Sequence, residues 1–207
     1  VVFDKGVLLG GLYAEGKKAG VTYYLERNVI DARKTAQGVE VLTTSGEKFT
    51  GTFCIAADGA NSRLARKLGL NKDRVFCNTG KAISYYITGV KFDRSEVIFL
   101  GICPGPSGRG TFPFSMLPSV YRDDEYWLYI PSAERFEYFV QKSPFKKWFH
   151  NVQVTHKRCA VINNWSPAKE PFKDNVLFVG DSCWFAEAEN TGALLSGHKA
   201  AHAVCTA

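Results

Sequence analysis

Two stretches of this 207-residue chain end an apolar run on a carboxylate beside a glycine. Phe53-Cys54-Ile55-Ala56-Ala57 leads into Asp58-Gly59, and Val176-Leu177-Phe178-Val179 leads into Gly180-Asp181. Burying an unpaired carboxylate costs several kcal/mol, so something must accept each of them. In an open α/β sheet, ligands bind beyond the carboxyl ends of the strands, where helix N-termini offer unpaired amides to an anion. Glycine lets a ligand approach the backbone, and a carboxylate accepts hydrogen bonds from sugar or polyol hydroxyls. The two stretches therefore point to a bound cofactor that carries hydroxyls. The plain alternative is helix capping, by Asp58 near Ser62 and by Asp181 ahead of the final helix, and it stays open for both.

The elements that must position these residues follow from periodicity and turn residues. Residues 4–19 set Val7, Leu8, Leu12 and Tyr13 on one helical face, with Lys17, Lys18 and Gly20 at the stop. A strand is expected over 21–28. A hairpin turning at Ser45-Gly46-Glu47 then leads into the apolar strand before Asp58. A short helix is expected at 62–70, followed by strands in KAISYYITGVKF, EVIFLGI, TFPFSMLP and EYWLYIP, which make a mostly antiparallel, aromatic-rich sheet. Helix returns at 133–150, a strand at 158–163, and the 176–179 strand with its helix closes the chain. The expected domains are 1–75 and 166–207, which share a parallel cofactor sheet, and 76–165, an antiparallel substrate-binding sheet.

Composition narrows the classes of partner. The formal charge is +6, but the 26 Lys and Arg residues are scattered rather than gathered into a stripe, so nucleic acid is not the expected partner. Cys54, Cys77, Cys103, Cys159, Cys183 and Cys205 show no metal-finger spacing and follow no secretory leader, so the expectation is reduced thiols in a cytoplasmic protein. No apolar run reaches the ~20 residues of a membrane span. Lys146-Lys147-Trp148-Phe149-His150 reads as a solvated helix end, with peripheral membrane contact as the other reading. His198 and His202 share a helical face, yet no third metal ligand accompanies them. Cys183 reads as a small buried thiol.

CIAADGANSRLAR at 54–66 resembles the second FAD-site fingerprint of the flavoprotein hydroxylase superfamily (p-hydroxybenzoate hydroxylase-like), and VLFVGDSCWF at 176–185 is similar to its Gly-Asp fingerprint. Thr191-Gly192-Ala193, then Ser196-Gly197 and Ala200-Ala201, look like the geranylgeranyl reductase branch. The resemblance spans nearly the whole chain. It implies a fold of α+β / α/β class, a Rossmann-like, incomplete FAD/NAD(P)-binding parallel sheet with an antiparallel substrate-binding sheet, with FAD as cofactor and NAD(P)H as a candidate electron donor. It also implies cofactor contacts from Asp58, Gly59, Ser62, Arg66, Gly180, Asp181, Thr191, Gly192 and Ala193, with Asp181 on the ribityl chain. Arg66 reads equally as a surface residue.

The chain departs from the family in two places. It has no GxGxxG turn, since the GPSGRG cluster at 105–110 lies in a loop. It thus looks like a fragment that lacks the N-terminal FAD-binding segment. The turn after Asp181 is also short and without Pro. Tyr85, Phe114, Met116, Trp127 and Tyr129 would line a pocket for a small hydrophobic substrate if they share one face; a sheet core is the other reading. The resemblance implies an FAD-dependent oxidoreductase that reduces a prenyl double bond. A monooxygenase of the aromatic hydroxylase type is the runner-up, and a non-catalytic remnant that binds a hydrophobic ligand or a partner is the reading from another class.

Overall fold

The computed structural model describes residues 4–91, 98–108, 110–184 and 189–207. The chain divides into two compact units, one formed by residues 23–80 with 162–207 and the other by 1–22 with 81–161.

The first unit carries both Asp-ended strands. Strands β1 (Val29–Thr35), β2 (Gly38–Thr43) and β3 (Lys48–Gly51) form an antiparallel sheet. Its β2–β3 turn carries Gly46 at φ +82, in the left-handed region that glycine tolerates. The strand expected over 21–28 does not form. Val21 to Asn28 pair with no strand among the described residues, and β1 starts at Val29, where Gly38 to Thr43 can supply a partner in register. Strand β4 (Cys54–Ala56) and helix α2 (Arg63–Lys67) follow, then a 3-10 turn at Leu70–Asp73. From the end of the chain come β10 (Phe172–Lys173), β11 (Val176–Phe178) and helix α4 (Glu189–Cys205). Strand β4 pairs parallel with β11 in the register Cys54↔Val176, Ile55↔Leu177 and Ala56↔Phe178. Ala56, Leu64, Ala65, Val176, Phe178 and Cys183 are buried together beneath them.

The second unit contains helix α1 (Lys5–Lys18), none of whose side chains is buried, and a five-stranded antiparallel sheet. The sheet order is β6 (Phe99–Pro104), β7 (Thr111–Pro118), β8 (Tyr126–Tyr129), β5 (Phe76–Val90) and β9 (Phe149–Trp165). The glycine cluster at 105–110 is the β6–β7 hairpin loop, with Gly105 N–H donating to the Gly110 carbonyl; Arg109 lies outside the described residues. So do Phe92, Glu96 and Val97 of the expected strands. The helix expected over 133–150 stops early: α3 spans Ala133–Gln141, and β9 begins at Phe149. Pro144 has no N–H and disfavours helical backbone at Ser143, whose hydroxyl instead donates to the Phe139 carbonyl.

Candidate functional site

The parallel pairing of β4 and β11 brings Asp58 and Gly180-Asp181 to the same sheet edge, beyond the carboxyl ends of adjacent strands. Val179 N–H donates to the Ala56 carbonyl at 3.1 Å, and the Ser182 hydroxyl lies 3.2 Å from Ala56 O and 2.7 Å from Val179 O. The two strand ends are thus laced together by backbone and one buried hydroxyl.

Asp58 points its Oδ2 at helix α2, accepting from Arg63 N at 3.0 Å and Leu64 N at 3.2 Å. Ser62 completes the cap by accepting from Ala65 N at 2.8 Å. The other oxygen, Asp58 Oδ1, has no partner among the described residues. Gly59 sits at φ +77, which explains its type. Arg66 is exposed in the last turn of α2.

Around Asp181 the arrangement differs. Gly180 takes φ +59 and its amide donates to Ser196 Oγ at 2.8 Å, while that hydroxyl donates to the Gly192 carbonyl at 2.6 Å. A Cβ on Gly180 would meet Ala193 Cβ at 3.4 Å, so the turn rests directly on α4. The small residues at 192 and 193 have that packing reason. Thr191, Gly192 and Ala193 lie inside α4, as its third to fifth residues, rather than in a turn before it, and residues 185–188 of the expected short turn lie outside the described residues. Asp181 is half-buried, and its carboxylate accepts no hydrogen bond and no ion pair among the described residues.

Two further residues, which sequence reasoning passed over, frame this turn. Arg74, 8% exposed, donates from Nε to Ser166 O at 2.7 Å and from Nη1 to Asn71 Oδ1 at 2.9 Å and Ser182 O at 3.2 Å, so it holds the Gly-Asp turn by its backbone. Trp184 is held at φ +51, a backbone region that costs a non-glycine residue about 1–3 kcal/mol. Its indole N–H is buried without an acceptor among the described residues. Strain and an orphaned donor three residues past an unpaired carboxylate mark a place organised for something besides the chain itself. The buried Cys183 thiol faces the Phe178 and Gly180 carbonyls. Burial, then the nearby Asp58 charge, pushes the Cys54 thiol up from its ordinary pKa.

The expected substrate residues split between two faces of the large sheet. Tyr85 pairs with Leu128 and Met116 with Leu128, so Tyr85, Phe114 and Met116 point to the side covered by α3, where Phe139 and Phe136 pack on them. They are core. Trp127 pairs with Tyr86 and Leu117, and Tyr129 with Ser84 and Ser115, on the opposite face. The two rings stack there at 6.5 Å, and Tyr86 meets His156 at 5.7 Å and the Arg158 guanidinium at 5.6 Å.

An apolar cavity of about 360 Å³, walled by Phe53, Phe172, Leu177, Phe178, Ala200 and Val204, lies against α4 and includes neither aspartate. No group of three potential metal ligands occurs among the described residues, and no helix among them is long and apolar enough to cross a membrane. The six cysteines form no disulfide among the described residues.

No family model matches the sequence. Solved structures do resemble it. A geranylgeranyl bacteriochlorophyll reductase-like protein from Thermoplasma acidophilum aligns with a TM-score of 0.70 at 18% identity, over 93% of this chain and 51% of that one. A variant of Klebsiella pneumoniae HpxO complexed with FAD aligns with a TM-score of 0.58 at 19% identity, over 87% and 49%. OxyS anhydrotetracycline hydroxylase from Streptomyces rimosus aligns with a TM-score of 0.53 at 16% identity, over 83% and 35%. These likenesses show the fold, a mixed α+β architecture shared with these three structures. The chain spans about half or less of the length of each of them.

The unfilled hydrogen-bonding groups at the strand ends suit a ligand that carries hydroxyls. Among the described residues Asp181 is an acceptor without a donor and Trp184 Nε1 a donor without an acceptor, and Gly180 leaves the backbone open to close approach.

Proposed function

We propose that this chain belongs to an FAD-dependent oxidoreductase and supplies the contacts to the ribityl part of the cofactor. The observation that carries this reading is the unpaired, half-buried Asp181 carboxylate at the carboxyl end of a parallel strand pair. Asp181 would accept from ribityl hydroxyls, Gly180 would admit the chain to the backbone, and Asp58 Oδ1 would offer a second acceptor from the neighbouring strand. FAD, when bound, supplies the redox chemistry, with NAD(P)H as the proposed electron source. These residues contain no GxGxxG turn, so the proposal assigns them hydroxyl contacts and not the pyrophosphate.

We further propose that the reaction is reduction of a double bond in a prenyl-type hydrophobic substrate. The open sheet face of Trp127, Tyr129, Leu117 and the 75%-exposed Leu100 offers such a chain apolar area, and the likeness to the reductase-like protein supports it. Monooxygenation is the second reading, supported by the likeness to a hydroxylase. Incubating the full-length protein with FAD, NADPH and a geranylgeranyl substrate should yield a product heavier by two hydrogens. An oxygenated product moves the assignment to the second reading, and a protein that takes up no flavin overturns both in favour of a non-catalytic binding role.

A further inference from the structure

Arg74 is a full positive charge buried to more than nine-tenths, yet all its hydrogen-bond partners are neutral: two backbone carbonyls and the Asn71 amide oxygen. No carboxylate lies within ion-pair distance of it among the described residues. Its Nη2 is buried with no acceptor among the described residues. Buried arginines are ordinarily paired, because removing a charge from water is costly unless an opposite charge replaces the lost solvation. Burial accordingly draws the Arg74 pKa below its ordinary value, an effect the neighbouring Cys183 opposes.

What Arg74 faces is a cavity. A space of about 470 Å³ opens between the Leu68–Arg74 segment and residues 168–173, and its walls carry Lys72, Arg74, Lys169 and Lys173 against Asp73 and Glu170. None of the three lysines forms an ion pair with either acid among the described residues. Both segments belong to the same compact unit. Four cations against two carboxylates, with one of the cations buried and without an opposite charge, give the cavity walls an excess of positive charge that suits an oxyanion of more than one charge. Arginine's planar fork matches phosphate oxygens, and lysines add mobile point charges at the rim.

We propose that this cavity binds a phosphate-type polyanion, such as inorganic pyrophosphate or the diphosphate of a small metabolite, with Arg74 among its walls. An anion in the cavity would supply the opposite charge that the buried guanidinium lacks. The site stands apart from the flavin reading, since neither aspartate of the strand ends lines it. Because Nη1 of the same guanidinium holds Ser182 O, occupancy would also stiffen the Gly-Asp turn.

The test is calorimetric titration of the flavin-free protein with inorganic pyrophosphate at low ionic strength, with citrate as a carboxylate polyanion of similar charge. The expected result is saturable one-to-one pyrophosphate binding that exceeds citrate binding. The double variant Lys169→Glu with Lys173→Glu, both exposed, should melt at the wild-type temperature, bind pyrophosphate at least about tenfold more weakly and keep its flavin affinity. Arg74→Gln should abolish pyrophosphate binding, and because it also breaks internal bonds, the lysine variant carries the decision. Absence of saturable binding in the wild type, equal affinity for citrate, or unchanged affinity in the double variant overturns the proposal. Loss of pyrophosphate and flavin together in that variant overturns the separateness of the site.

Discussion

Asp58 and Asp181 terminate neighbouring parallel strands, and each stands beside a glycine at positive φ, yet their carboxylates are used differently. Asp58 gives one oxygen to two amides of α2. Asp181 gives its oxygens to nothing described, although it is the more buried of the two. The strand-end glycine and carboxylate therefore make a position, and the helix that follows decides the use. Helix α2 starts five residues after Asp58, close enough to be capped, whereas α4 starts eight residues after Asp181 and is pinned to the turn through Ser196 instead.

The largest contrast is expected in cofactor affinity. Asp181→Ala in the full-length protein should weaken FAD binding about ten- to a hundredfold, the ~1.5–3 kcal/mol of a charge-assisted contact, with little change in the melting of the apoprotein. Asp181→Asn should keep the fold and weaken flavin less. Unchanged flavin affinity in both variants would remove the distinction between the two aspartates.

Stability effects should follow the opposite pattern. Ser196→Ala leaves the buried Gly180 amide without its acceptor and should cost ~1–3 kcal/mol in denaturant melts of the apoprotein. Asp58→Ala removes a helix cap and should cost about 1 kcal/mol, while Asp58→Asn should cost almost nothing, because Asn caps as well as Asp. A flavin defect in Asp58→Ala as large as that in Asp181→Ala would show that the capping oxygen is not its main role.

Much of this was legible in the residues. The apolar runs into Asp58 and Asp181, the hairpin at Gly46 and the final helix all carry local signals, namely turn glycines, β-rich runs and caps. What failed were questions of parity and distance. Tyr85 and Tyr86 are equally aromatic, and a cross-strand register places Tyr85 in the core and Tyr86 on the open face; a shift of one residue would exchange them. Arg74 sits in the polar run Asn71-Lys72-Asp73, which reads as surface, and only contacts with Ser166 and Ser182, about a hundred residues away in sequence, bury it. Trp184 gives no sequence sign that its backbone is left-handed.

The smallest expected effect isolates charge from hydrogen bonding. Burial is the main reason the Cys54 thiol resists ionisation, and the Asp58 carboxylate is the second. Asp58→Asn removes that negative charge but keeps a cap, so the thiolate becomes less unfavourable and the Cys54 pKa should fall slightly, with burial still holding it above the ordinary thiol value. At a fixed mildly alkaline pH the fraction of thiolate, and with it the alkylation rate, should rise modestly. Cys77, Cys159 and Cys205 are exposed and react as well, so the rate must be read site by site, by mass spectrometry of peptides after timed iodoacetamide treatment. Asp181→Asn is the control, because Asp181 is not among the groups acting on Cys54 and should leave its rate unchanged. A faster Cys54 in Asp58→Asn alone confirms that the Asp58 charge stays local, bound to α2 and felt by the strand beneath it. Equal acceleration in both variants would mean that the two carboxylates share one electrostatic environment, and the contrast between them would then rest on hydrogen bonding alone.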